Sequence, residues 1–101
     1  MAVDITFRFR LKPELADAYC AGLPQILEGT ARRPGFEAIR VVRNKEEPTL
    51  VLMIERWESE EAYHDYIAWR TERGDIAAFT AVLDGEPVME VWPAVVTALP
   101  T

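Results

Sequence analysis

The stretch TLVLMIERWESEEAYHDYIAWRTERG, Thr49–Gly74, changes period half-way along. Apolar residues run without a break from Leu50 to Ile54, the pattern of a strand covered on both faces. Ser59 then stands where a helix N-cap is needed, with Glu60 and Glu61 in the first turn, where carboxylates meet the positive end of the helix dipole. From there Tyr63, Tyr66, Ile67 and Arg70 fall at i, i+3, i+4 and i+7 and share one helical stripe. The spacing predicts a helix from Ser59 to about Arg73, ended by Gly74. A strand feeding a helix at Trp57 is therefore the anchor for the rest.

Upstream, EAIRVVR (Glu37–Arg43) reads as a second strand, joined to the first through the polar hairpin NKEEP (Asn44–Pro48). RRPGF (Arg32–Phe36) is a turn. Nearer the N-terminus, VDITFRFRL (Val3–Leu11) alternates: Ile5, Phe7 and Phe9 share one face, and Thr6, Arg8 and Arg10 share the other. KPELADAYCAGLPQILEG (Lys12–Gly29) opens a helix with Pro13 in its first turn. Leu15, Tyr19, Leu23 and Ile26 are spaced for its apolar face. Pro24 predicts a kink or an early end, and Gly29 a stop. Downstream, Asp75–Leu83 reads as a short helix capped by Asp75, with Gly85 beyond its end. PVMEVW (Pro87–Trp92) is a last strand. The tail Pro93–Thr101 is apolar without a clear period.

The order β-α-β-β-α-β is that of the ferredoxin-like plait, an α+β fold with two helices on one face of a four-stranded antiparallel sheet. One domain, residues 1–101, is expected from the 101-residue length. Strands apolar on both faces leave a bare patch on the helix-free side. A homodimer pairing two sheets would cover it.

The net charge of −6 repels phosphate backbones, so no nucleic-acid partner is expected. No apolar run approaches the roughly 20 residues that cross a bilayer, so no membrane partner is expected. The N-terminus lacks a signal-peptide core, and Cys20, the single cysteine, excludes an internal disulfide. Both point to a cytoplasmic protein. Cys20 reads as a small buried helix residue. No GxGxxG, P-loop, CxxC or HExxH motif occurs, so neither a cofactor nor a metal is expected.

RRPGF, ERWESEEAYHDY and GEPVMEVW together resemble the antibiotic biosynthesis monooxygenase family of dimeric α/β barrels, from Val3 to Trp92. The resemblance implies a dimer. It also implies that Trp57 and Tyr63 line a substrate cavity, since polyketide-oxidising members use a strand-end tryptophan and a tyrosine six residues later. Other members carry a helical histidine where Tyr66 stands here. His64 lies two positions away, about 160° round the helix. Haem-degrading members use an asparagine on strand one, which this chain lacks, so haem binding or degradation is the weakest of the family's functions for it.

The residues around this corner suit oxygenation of an electron-rich ring. Tyrosine and tryptophan offer an apolar face and a hydrogen-bonding tip. A guanidinium facing a cavity would favour a phenolate. Tyr63 and Arg70 are the candidate catalytic residues. Trp57, Tyr66, Trp69 and His64 are the candidate substrate-binding residues. The expected function is a cofactor-independent monooxygenase acting on a small aromatic quinol or polyketide-like substrate. The competing function is a non-catalytic barrel that binds a small ligand or serves in stress. The competing structural roles are plain core packing for Trp57, Tyr63 and Tyr66, snorkelling to solvent for Arg70, and a solvated partner of Glu60 for His64. Arg8 and Arg10 are expected to meet Glu55 or Glu90 across the sheet.

Overall fold

Two central strands organise the protein: β1 (Val3–Arg10) and β3 (Leu50–Trp57) pair antiparallel, with Phe7 opposite Met53 and Ile5 opposite Glu55. A computed structural model describes residues 2–100. In it β2 (Phe36–Arg43) flanks β3 and β4 (Val88–Trp92) flanks β1, giving the order β2-β3-β1-β4. Helices α1 (Pro13–Ala31), α2 (Glu60–Glu72) and the short α3 (Asp75–Ala81) cover one face. This is the ferredoxin-like plait that the sequence predicts.

Parity along the strands decides what each face carries. Val3, Ile5 and Phe9 of β1 and Val51, Glu55 and Trp57 of β3 are all buried beneath the helices. Leu52 and Ile54, one residue out of phase, lie half-buried on the helix-free face beside exposed Val42, Val88 and Trp92. The same parity corrects the expected pairing of Arg8 and Arg10 with Glu55. Glu55 faces the helices, and Arg10 instead pairs with Glu47 of the hairpin at 3.0 Å. Glu90 lies opposite Thr6, not opposite either arginine.

The helix ends follow local chemistry. Ser59 accepts from the Ala62 N–H at 3.0 Å and caps α2. Gly74 adopts a left-handed φ of 82° just beyond α2 and serves as the N-cap of α3. Asp75, expected from the sequence to cap α3, does not do so; its carboxylate is taken by Arg70 and Arg73. α1 passes through both Pro24 and Gly29 and ends at Ala31. Pro24 sits on the exposed side, where a backbone carbonyl deprived of its donor can bond water. The buried stripe of α1 is Ala16, Leu23 and Thr30, with Tyr19 and Cys20 half-buried. Leu15 and Ile26, expected on that face, are exposed along its edges.

The core is split. One cluster gathers Val3, Ile5, Trp57, Ala62 and Tyr63; the other gathers Phe9, Leu11, Ala16, Val51 and Leu83. On β3, Glu55 belongs to neither cluster and Met53 packs against the second; both line the space that the helices leave above the sheet.

The Arg33–Phe36 turn fixes the start of α2. Gly35, at φ 86°, accepts from the Glu58 N–H at 2.8 Å, and a Cβ at this position would stand 2.6 Å from the Ala62 Cβ. Gly35→Ala thus combines a left-handed conformation with overlap against α2. It should destabilise the protein by about 2–4 kcal/mol in urea unfolding. A loss within experimental error would show that the turn and α2 are free to separate.

Candidate functional site

The space between the two core clusters is a cavity of about 770 Å³. Its floor is the sheet, with Phe7, Ile39, Met53 and Glu55. Its walls are Tyr63, Tyr66 and Ile67 of α2, Leu23 and Ile26 of α1, and Ile76 and Phe79 of α3. Arg32, Arg33, Trp69 and Arg73 stand at the more exposed end. A mostly apolar cleft of this size with a few inward polar groups is the usual form of a small-molecule site.

The α2 stripe read from the sequence does converge here. Tyr63, Tyr66, Ile67, Trp69 and Arg70 all line the cavity. Trp57 does not. Its ring is fully buried beneath the site, stacked on Tyr66 at 4.9 Å and edge-on to Phe36 and Tyr63 at 5.4 and 6.1 Å. It supports the wall rather than presenting a surface to a guest. His64 is also outside the cavity: it is exposed, with Nε2 3.1 Å from Glu60 on the outer side of α2. Its place two positions from Tyr66 turns it away, as the helical period requires.

Arg70 is held by four neighbours. Its Nε donates to the Tyr66 hydroxyl at 3.2 Å and Nη1 to Asp75 at 2.8 Å. Nη2 donates to the Ile26 carbonyl and to Thr30 Oγ1, both at 2.9 Å. Thr30, fully buried, shares a further 2.8 Å hydrogen bond with the Tyr66 hydroxyl. Burial opposes the guanidinium charge, but the bonds to Asp75 and Tyr66 outweigh it and hold the Arg70 pKa above its ordinary value. One side chain thus ties α1, α2 and α3 together along the edge of the cavity, and it uses up the Tyr66 hydroxyl.

Glu55 is the group that sequence reading did not place here. It is 5% exposed, on the cavity floor. The Trp57 indole N–H donates to Oε1 at 3.0 Å. Among the described residues its second oxygen has no hydrogen-bond partner, and Glu55 lines the cavity. Burial raises its pKa, and the Trp57 bond only partly offsets that. Tyr63, 4% exposed, likewise has no hydrogen-bond partner for its hydroxyl among the described residues. Burial, then the nearby Glu55 and Tyr66, push the Tyr63 pKa well up. Tyr19 is pushed up to about 12, chiefly by burial. Both tyrosines are therefore neutral donors at ordinary pH, while Glu55 can exchange a proton. Among the described residues no group of acids, histidines and cysteine is arranged to hold a metal ion. No helix among them is long and apolar enough to cross a membrane.

The model of the family described as antibiotic biosynthesis monooxygenase matches residues 3–70. The chain belongs to that family. Solved structures agree on the fold. A conserved protein from Methanosarcina mazei is 19% identical over 92% of each chain, with a TM-score of 0.81. SnoaB, a cofactor-independent oxygenase from Streptomyces nogalater, here in a mutant form, is 17% identical over 99% of this chain and 98% of its own, with a TM-score of 0.82. Rv0793 from Mycobacterium tuberculosis is 17% identical over 98% and 100%, also at 0.82. No curated protein matches the sequence. The span matched by the antibiotic biosynthesis monooxygenase family takes in Glu55, Tyr63 and Arg70 but stops short of Asp75.

Replacing Arg70 should cost more than removing a surface charge. Arg70→Met leaves Thr30, Tyr66 and the Ile26 carbonyl without their donor. A loss of about 3 kcal/mol in urea unfolding is expected. A loss below about 1 kcal/mol would mean that the three helices are held by other contacts.

Proposed function

We propose that the chain is a monooxygenase that oxidises a planar phenol or quinol with dioxygen and takes all the electrons from the substrate. The observation that carries this reading is that Glu55, with one carboxyl oxygen unbonded among the described residues, and Tyr63, close enough to feel its charge, line the same cavity. A phenol is a weak reductant of oxygen, and its anion is a strong one. The protein's part is to form that anion in a dry place and hold it.

In this reading Glu55, as carboxylate, takes the phenolic proton. The ring anion passes an electron to dioxygen. In a ring whose para carbon bears hydrogen, the two radicals then join at that carbon, and the proton held by Glu55 passes to the peroxide to complete a hydroperoxide. That carbon loses its hydrogen and the outer hydroxyl as water and becomes a carbonyl. One oxygen atom enters the ring and the other leaves as water, a four-electron change balanced by the substrate alone. The Tyr63 hydroxyl, kept neutral by burial, donates to the ring oxygen as it becomes negative. Tyr66 and Ile67 supply the apolar wall, with Trp57 packed behind Tyr66. Arg70 acts by positioning: its nitrogens are already bonded, and its loss would act through Tyr66 and the helices. Trp69 belongs to the cavity entrance, and His64 takes no part. The single histidine lies outside the cavity, which disfavours a haem reading in which histidine holds the iron.

The same family membership supports a homodimer in which the helix-free sheet face meets a second copy. Leu52, Ile54, Val42, Val88 and Trp92 would be the apolar centre of the contact. A mass of two chains by light scattering is expected, and a mass of one at micromolar concentration would exclude it.

Oxygen uptake with a panel of naphthalene- and anthracene-sized phenols and quinols tests the reaction. Uptake is expected for at least one, with kcat/KM rising as pH passes upward through the raised Glu55 pKa, because only the carboxylate is a base. Glu55→Gln keeps the acceptor for Trp57 and removes the base. It should lower kcat by about 10²-fold or more and abolish that pH limb. Unchanged turnover in Glu55→Gln would remove Glu55 from the mechanism. Binding without oxygen uptake across the panel would leave a ligand-binding protein.

A further inference from the structure

The open end of the cavity carries more positive charge than its surroundings neutralise. Arg32 and Arg33 follow the end of α1, and Trp69, Arg70 and Arg73 come from the end of α2. Three guanidinium groups surround one indole: Arg33, Arg70 and Arg73 lie 4.5, 4.8 and 4.9 Å from the Trp69 ring centre. Among the described residues Asp75 is the single carboxylate that pairs with any of these arginines, and Arg70 and Arg73 share it. Among the described residues neither Arg32 nor Arg33 has an ion-pair partner. Glu55, the other acid lining the cavity, is held toward its neutral form by burial. Glu58, Glu61 and Asp65 line a separate cleft on the other side of Arg33, and none comes within ion-pairing distance of it.

The posture of Arg33 sharpens the point. Its Nε is buried with no acceptor, and its guanidinium lies over the Trp69 ring. Among the described residues its two terminal nitrogens have no hydrogen-bond or ion-pair partner. A flat cation stacked on an aromatic face, with its outer edge free, is preorganised to take a carboxylate in a fork of two parallel hydrogen bonds. Gathering these cations in one place is costly without a counter-ion, and the chain as a whole is acidic, with a net charge of −6. A general attraction to anions does not account for it. A specific anion at this spot does.

We propose that the substrate is an aromatic carboxylate: a planar hydroxylated ring whose reacting hydroxyl enters toward Glu55 and Tyr63, and whose carboxylate stays at the opening on Arg33, flanked by Trp69 and Arg73. The inference rests on the reading of the cavity as a planar-phenol site and adds the second, charged contact. Arg33 is then a specificity residue. It fixes which end of the ring goes in first, and it favours a carboxylate-bearing ring over a neutral phenol of the same size.

Calorimetric titration of the unmodified protein with 2-naphthol and with 6-hydroxy-2-naphthoate tests this without any turnover. The two share one ring system and one hydroxyl, and differ by a carboxylate at the far end. The naphthoate is expected to bind about tenfold tighter or better at low salt. That advantage should shrink as salt rises from about 0.02 to about 0.5 M, since the pair is open to solvent. Arg33→Gln should remove the advantage and leave 2-naphthol binding as before, which also reports that the variant is folded. Equal binding of the two ligands would overturn the carboxylate inference while the phenol cavity stands. So would an advantage retained in Arg33→Gln. If neither ligand binds, the phenol reading itself falls, and the carboxylate inference falls with it.

Discussion

The site depends on a single guanidinium. Arg70 reaches from α2 to the Ile26 carbonyl and Thr30 of α1, to the Tyr66 hydroxyl on its own helix, and to Asp75 at the start of α3. Buried hydrogen bonds to a charge are strong because few competing partners are at hand, and each abandoned partner would be costly. The helices are thereby held to one another along one edge. They do not need to sink onto the sheet to be stable, and the space above Met53 and Glu55 survives as a cavity. A leucine at position 70 would satisfy the helical period equally well and would offer no such clasp.

The division of the core into two clusters has a chemical consequence. A carboxyl placed between them is out of water but not packed against neighbours on every side. Trp57, sealed beneath, gives Glu55 one hydrogen bond and leaves one oxygen free. Tyr63 and Tyr19 are pushed the other way from use as bases, since burial favours their protonated form. The cavity floor therefore contains a carboxyl that can exchange a proton, and the wall holds a phenol that stays protonated and can donate a hydrogen bond. That asymmetry suits removal of a proton from a phenol followed by stabilisation of its anion. The cationic opening around Trp69 completes a gradient from charged rim to apolar interior.

Much of the architecture was legible in the residues. Alternation from Val3 to Leu11, the apolar run from Leu50, Ser59 as a cap and Gly74 as a stop all report local chemistry, and each stands as read. What escaped was tertiary. Thr30 and Ala16 are buried on α1 while Leu15 and Ile26 are not, because a polar or small residue gives no signal in an apolar count. Asp75 looks like a cap until two arginines claim it. Glu55 shares parity with Val51, Met53 and Trp57, which marks it as facing inward. The clue was masked because Leu50, Leu52 and Ile54 are apolar too, so neither face of β3 declared itself the outer one. The stripe on α2 was found by its period, but the same period could not tell that Trp57 would lie under the stripe and not beside it.

Oxygenation of a phenol at this site requires that the space between the two core clusters accept a flat ring. A crystal structure of the protein soaked with a planar phenol examines that requirement most directly. Electron density for the ring between the sheet at Met53 and Glu55 and the helix at Tyr63 and Ile67, its hydroxyl within hydrogen-bonding distance of the free Glu55 oxygen, is the result expected. Side chains of Phe7, Met53, Tyr63 and Phe79 closed over one another, with the phenol absent or bound only on the outer surface, would contradict it.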